Sequence, residues 1–140
     1  MGMQVQVTFD AADPTRLAEF WALALDYVPQ PPPEGFATWD NLKRAIGLPE
    51  ERFDEFAFIV DPHGRGPRLL FQKVPEGKTA KNRVHLDVDP KRGGADGWST
   101  VMHHVERLVS AGATVLNEKD DQTGRCVVLQ DPEGNEFCVH

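Results

Sequence analysis

The strongest constraint on this chain is internal repetition. Asp61-Pro62-His63-Gly64 and, seventy positions on, Asp131-Pro132-Glu133-Gly134 each turn into a short apolar strand. A second echo links Gln6-Val7-Thr8-Phe9-Asp10, ahead of a helical stretch from Pro14 to Leu25, with His85-Leu86-Asp87-Val88-Asp89, ahead of one from Ala95 to Ser110. Each half therefore reads as strand, helix, then strands closing on an Asp-Pro-x-Gly turn. Half-domains of this size bury a face by pairing, and a pseudo-twofold arrangement leaves a cleft where their strands meet.

Local periodicity fills in the elements. Val5, Val7 and Phe9 alternate with polar neighbours, which puts an apolar row on one face of a strand. Asp13 is a natural N-cap with Pro14 at the first helical position, and Leu17, Phe20, Trp21, Ala24 and Leu25 recur at helical spacing. Pro29, Pro31, Pro32 and Pro33 exclude a central strand between Tyr27 and Phe36 and leave an edge strand or loop. Trp39 to Ile46 reads as a helical insertion that the second half lacks. Phe56–Val60 and Arg68–Val74 are the strands around the first Asp-Pro-x-Gly turn, and polar Pro75–Lys81 links the halves. The second half opens with a strand over Arg83–Asp89 in which Val84, Leu86 and Val88 form the buried row. Trp98, Val101, Met102, Val105, Leu108 and Val109 then keep helical spacing. Strands follow at Thr114–Leu116, Arg125–Leu129 and Glu136–Val139.

Composition narrows the class. At 140 residues and 40% hydrophobic content, one domain spanning 1–140 can bury a sizeable core without staples. Cys126 and Cys138 form no disulfide framework, no apolar run reaches bilayer length, and the N-terminus lacks a signal pattern, so a cytoplasmic protein is expected. A formal net charge of −7 argues against nucleic acid and anionic membranes as partners.

Two βαβββ units, at 3–74 with an insertion near 38–47 and at 82–140, form a pattern that the Asp131 to Asn135 turn and the strings Arg68–Glu76 and Lys81–Asp87 make specific. Together they resemble the vicinal oxygen chelate superfamily, in particular its glyoxalase-like branch. The resemblance implies an α+β fold of the glyoxalase/bleomycin resistance/dioxygenase kind, in which the two units form a half-open barrel with a central cleft. It further implies a small organic ligand, commonly a homodimer, and in metal-dependent members a divalent ion of iron, manganese, nickel or zinc. Metal-ligand positions on first and last strands map to Gln6, His85, Gln72 and Cys138, where the usual carboxylate is missing. Strand parity puts Glu136 on the same face as Cys138, so Gln6, His85 and Glu136 make an alternative ligand set, while a Cys138 thiolate would favour a thiophilic ion.

Each candidate has a plainer reading. His85 is expected as ligand or base, with Glu136 its catalytic partner, because an imidazole is the side chain suited to general-base work near neutral pH; otherwise it fills the cleft. Asp87 is expected to balance Arg83 or a lysine, and Arg83 itself could take a substrate carboxylate. Cys126 and Cys138 share one hairpin face and read as structural thiols. His103 and His104 point in different directions and are expected at solvent or an interface. Phe36 and Trp39 either cap the cleft as an aromatic lid or pin the insertion to the sheet, and Phe56 joins them as a ligand-binding aromatic. Two activities fit: a lyase-, isomerase- or dioxygenase-type enzyme acting on a small molecule, or a metal-free module sequestering a drug or metabolite, similar to the bleomycin resistance members.

Overall fold

The computed structural model describes residues 1–94 and 97–140. Its contacts divide the chain into two compact units, Met1–Ala22 with Asp26–Glu76, and Leu23–Leu25 with Gly77–His140.

The first unit builds a four-stranded sheet in the order β1-β4-β3-β2, from β1 (Gln6–Ala11), β2 (Val28–Pro29), β3 (Phe56–Val60) and β4 (Arg68–Lys73). β1 runs parallel to β4, so a crossover must join them, and the helix α1 (Pro14–Leu25) begins it. Asp13 caps α1 by accepting from the Arg16 N–H at 3.2 Å, and Asp26 ends it in the left-handed region at φ 53°. The proline-rich β2 lies at the sheet edge, where a missing N–H costs no ladder bond. Alternation along the strands sends Phe9, Leu69, Phe71 and Ile59 to one face. There Trp21 meets Phe9 with ring centroids 5.1 Å apart, and Phe9 meets Phe71 at 5.0 Å. The opposite face carries Gln6, Arg68, Leu70, Gln72, Phe56 and Phe58. The insertion folds as the helix α2 (Trp39–Ala45), capped by Thr38, followed by a single 3₁₀ turn at Glu50–Arg52.

The second unit repeats the plan with β5 (Asp87–Val88), α3 (Trp98–Ser110), β6 (Thr114–Asp121), β7 (Gly124–Gln130) and β8 (Glu136–Val139), in the order β5-β8-β7-β6. The first strand is again parallel to the last. Val101, Val105 and Leu108 of α3 are buried, as are Val127, Leu129, Phe137 and Val139 of the sheet. In each unit the two edge strands do not pair with each other, so both α+β sheets stay open rather than closing into a barrel.

Several expectations need correction. The strand at Arg83–Asp89 shrinks to Asp87–Val88, and Val84 is 81% exposed. β8 is only four residues long, and the chain before Leu86 is diverted: Asn82 bonds Glu136 through both its N–H and its side chain. Val5 is 68% exposed because the β1 ladder starts at Gln6 opposite Arg68, leaving no rung for it. β6 runs on to Asp121, well past Leu116, since β7 pairs with it as far as Gly124. Val109 faces outward at 45% exposure. His104 is buried, its Nε2 donating to Ala24 O at 2.8 Å, while His103 is exposed. The expected helix start at Ala95 lies outside the described residues, and the helix is described from Trp98.

Candidate functional site

The two Asp-Pro-x-Gly turns aim the last strands. Asp131 is buried, and its Oδ1 accepts from the Glu133 and Asn135 N–H groups at 2.9 and 3.0 Å. Its Oδ2 takes Asn135 Nδ2 at 2.8 Å, and Gly134 closes the turn at φ 88°. Asp61 does the same work for β4, accepting from the His63, Arg65 and Gly66 N–H groups. Those donors, the His63 N–H foremost, hold its carboxyl below the usual carboxylate range.

β8 therefore enters the second sheet in fixed register, with Cys138 level with Asp87 of β5 on one side and Val128 of β7 on the other. Val128 is in turn level with Asn117, and Cys126 with Lys119. Together with His85, Glu136 and His140, these side chains line a groove of 520 Å³ wholly within the second unit. His85 Nδ1 lies 3.1 Å from Asp87 Oδ1. The expected balance of Asp87 against Arg83 or a lysine is thus replaced by this histidine, two residues away on the same face. Burial, reinforced by the neighbouring Cys126 thiol, pushes the Cys138 thiol up to about 11. Both cysteines are free.

Glu136 lies on the same face but is already engaged. Its carboxylate accepts from the Lys78 ammonium at 3.1 Å and the Asn82 N–H at 2.9 Å. The Asn82 N–H, ahead of the Lys78 charge, holds it below the ordinary glutamate value.

In the first unit, Trp39 packs nearly parallel on Phe58 with centroids 5.6 Å apart and edge-on to Phe56 at 6.2 Å, and its Nε1 donates to Gln30 O at 2.7 Å. The Arg68 guanidinium covers Phe58 at 4.5 Å and donates to Gln6 Oε1 through Nε at 2.7 Å. Gln72 is four residues further along β4 and donates to Asp10 Oδ1 at 2.9 Å. Phe36 is half-buried in the turn after the prolines, its N–H bonded to Pro33 O.

The structure thus brings His85, Glu136 and Cys138 to one groove, and Gln6, Gln72, Phe56 and Trp39 to the open face of the first sheet. Arg83 is exposed and is not among the groove residues. Sequence reasoning missed Lys119, Asn117 and Arg125 of the groove and Arg68 beside Gln6. Ending β6 at Leu116 hid the first two, although Asn117 and Lys119 sit at alternating positions of that strand.

Residues 6–140 match the sequence profile described as a glyoxalase-like domain. The chain belongs to the glyoxalase-like domain family. No curated protein matches its sequence significantly. Among solved structures, this glyoxalase-like chain is similar to a glyoxalase/bleomycin resistance protein/dioxygenase family enzyme from Burkholderia phytofirmans PsJN, at 16% identity and a TM-score of 0.64, covering 96% of this chain and 94% of that one. It is equally similar in fold to the fosfomycin resistance protein FosX from Mesorhizobium loti, at 12% identity and TM-score 0.64, covering 100% and 91%. A third neighbour is a mutant of FosX from Listeria monocytogenes, complexed with Mn(II) and 1S,2S-dihydroxypropylphosphonic acid. It shows 11% identity and TM-score 0.64, with 100% and 90% covered. At these identities the likeness establishes the fold.

The divalent ion that the family implies needs donors with lone pairs to spare. In the Gln6, His85, Glu136 set, the Gln6 carboxamide oxygen is taken by Arg68 and the Glu136 carboxylate by Lys78 and Asn82. The cation already beside Gln6, and the other beside Glu136, disfavour a further cation at either residue, so these donors do not fit the ion as they stand.

Proposed function

We propose that this glyoxalase-like protein binds a compact organic anion in the groove of its second unit and transfers a proton to or from it through His85. The reading rests on one observation: His85 is held against Asp87 at 3.1 Å on the wall of a 520 Å³ groove that also presents Lys81, Lys119 and Arg125. That volume falls within the roughly 300–1,000 Å³ usual for small-molecule sites. A carboxylate acceptor at Nδ1 keeps the proton on that nitrogen and leaves Nε2 as the base, while stabilising the imidazolium that forms. An imidazole so oriented can take a proton from a carbon beside a carbonyl, the opening step of lyase and isomerase chemistry. The basic side chains supply attraction for a carboxylate or phosphonate in an otherwise acidic molecule. The phosphonic acid in the Listeria neighbour is a ligand of this chemical kind.

A panel of small carboxylic and phosphonic acids, titrated by calorimetry, tests the binding. NMR detection of solvent deuterium entering the bound acid tests the proton transfer. Lys119→Ala should weaken binding about tenfold, in line with the loss of one charge-assisted contact, and His85→Ala should abolish exchange. Binding indifferent to both substitutions would refute the reading.

A second reading, sequestration of a planar molecule without turnover, draws on Trp39 stacked over Phe58 on the open face of the first sheet. It predicts ligand-dependent quenching of tryptophan fluorescence that persists in chelator and is lost in Trp39→Ala.

A further inference from the structure

We infer that Glu136 is a positioning residue: by holding Lys78 and Asn82, it fixes the segment that carries Lys81 and His85 to the groove. Neither helix nor strand covers residues 74–86, and the segment is exposed except at Val74, Asn82 and Leu86. Downstream it is tied to β8 where the Cys138 N–H donates to Leu86 O at 3.0 Å. Upstream it is tied to the same strand by Glu136. That carboxylate accepts from the Asn82 N–H at 2.9 Å, and the Glu136 backbone carbonyl accepts from Asn82 Nδ2 at 3.2 Å. Lys78 adds an ion pair at 3.1 Å, with the two side chains only 21% and 14% exposed. Arg83, Val84 and His85 therefore form a short bridge with both ends held on β8.

The bridge departs from the plan of the first unit, where β1 pairs with β4 over six rungs while β5 pairs with β8 over two. Asp87 is level with Cys138, so a continued ladder would bring His85 level with Glu136 two rungs back. The Asn82 carboxamide takes the Glu136 carbonyl instead. This course leaves Val84 81% exposed, at a cost in apolar burial that the Glu136 contacts offset. The consequence reaches the groove because Lys81 and His85 both line it and both lie on this segment. With the tie in place, the His85 ring stays 3.1 Å from Asp87. Without it, the chain before Leu86 regains backbone freedom, and the imidazole, 45% exposed, exchanges Asp87 for water. A base displaced by about 1 Å loses up to roughly a hundredfold in rate. The catalytic part of this inference rests on the proton transfer proposed above; the positioning itself needs no ligand.

The test compares the full-length protein with Glu136→Ala and Glu136→Gln by three readouts. These are amide hydrogen exchange, the ring-nitrogen shifts of His85, and solvent-deuterium entry into pyruvate, a compact 2-oxo acid with protons beside a carbonyl. In the unsubstituted chain the Asn82 amide should be protected at least about tenfold relative to Ala80, Lys81 and Arg83, and His85 should carry its proton on Nδ1. Glu136→Ala should erase that protection, shift His85 toward the Nε2-protonated tautomer and slow deuterium entry by roughly ten- to a hundredfold. Affinity for the acid should fall less, since Lys119 and Arg125 stay on β6 and β7. Glu136→Gln keeps an acceptor for the Asn82 N–H and should restore part of each readout. An unprotected Asn82 amide in the unsubstituted chain, a result that does not depend on any variant folding, would overturn the inference. So would a His85 tautomer that is the same in Glu136→Ala as in the parent. A parent that moves no deuterium would end the proton-transfer reading alone, with protection and tautomer deciding the positioning in the free protein.

Discussion

Asp131 and Asp61 close equivalent turns, yet they differ in burial, and the consequence of removing each should differ accordingly. Asp131 is 3% exposed and satisfies two backbone N–H groups and one side-chain amide. Asp131→Ala strands these donors and should cost about 2–3 kcal/mol in urea denaturation. Asp61→Ala, where water can replace the lost acceptor, should cost distinctly less. Glu136 gives a pH signature. Its carboxyl is held below the ordinary value of 4.5, so its contribution to stability is present above that value and is lost as pH falls through the depressed one. Glu136→Gln should lower stability at neutral pH by about 1–2 kcal/mol, given a salt bridge that keeps some solvent contact. It should also flatten the acid limb of a stability-against-pH curve. If that limb is as steep in the variant as in the parent, the assignment to Glu136 is wrong. Strand parity made Glu136 and Cys138 legible as neighbours, whereas His85 was joined to them only through the resemblance. The partners of Glu136 were not legible, because Lys78 reaches it from the linker and Asn82 from the residue just after the linker, and no periodicity encodes such contacts.

At the scale of elements, apolar spacing and capping residues placed α1 and the insertion helix, since Asp13, Pro14 and Thr38 act locally. Strand ends were less legible because a strand lasts only as long as its partner. β5 stops where β8 runs out, and β6 outlasts its apolar residues because β7 keeps pairing with it. The aromatic cluster at α2 was legible only as two alternatives, lid or pin. Trp39 makes ring contacts with both Phe56 and Phe58 and a hydrogen bond to Gln30 O, so it anchors the insertion to the sheet. Trp39→Ala should therefore lower stability by about 2–3 kcal/mol even without ligand. Thermal melts of the free protein check this, and an unchanged melt would favour a lid that does not pin.

Across the whole molecule, duplication was the readable fact: two four-stranded sheets with the same strand order and the same parallel first-to-last pairing. Register was not readable, because it depends on loop length. Counting from the turn aspartates, the residue level with Thr8 is Leu70, nine positions after Asp61, whereas the residue level with Asp87 is Cys138, seven after Asp131. Gln72 and Cys138 therefore stand on different rungs of their sheets, although both lie on last strands. None of the described helices is long and apolar enough to cross a membrane. The formal charge of −7 makes the basic side chains lining one groove the more telling feature for ligand choice. The measurement that bears most directly on this account is a two-dimensional amide NMR titration with the tightest-binding acid from the panel. Shift changes concentrated at His85, Asp87, Lys119 and Cys138 are the expected result. Changes confined to β1, β4 and Trp39, with the second unit silent, would contradict it.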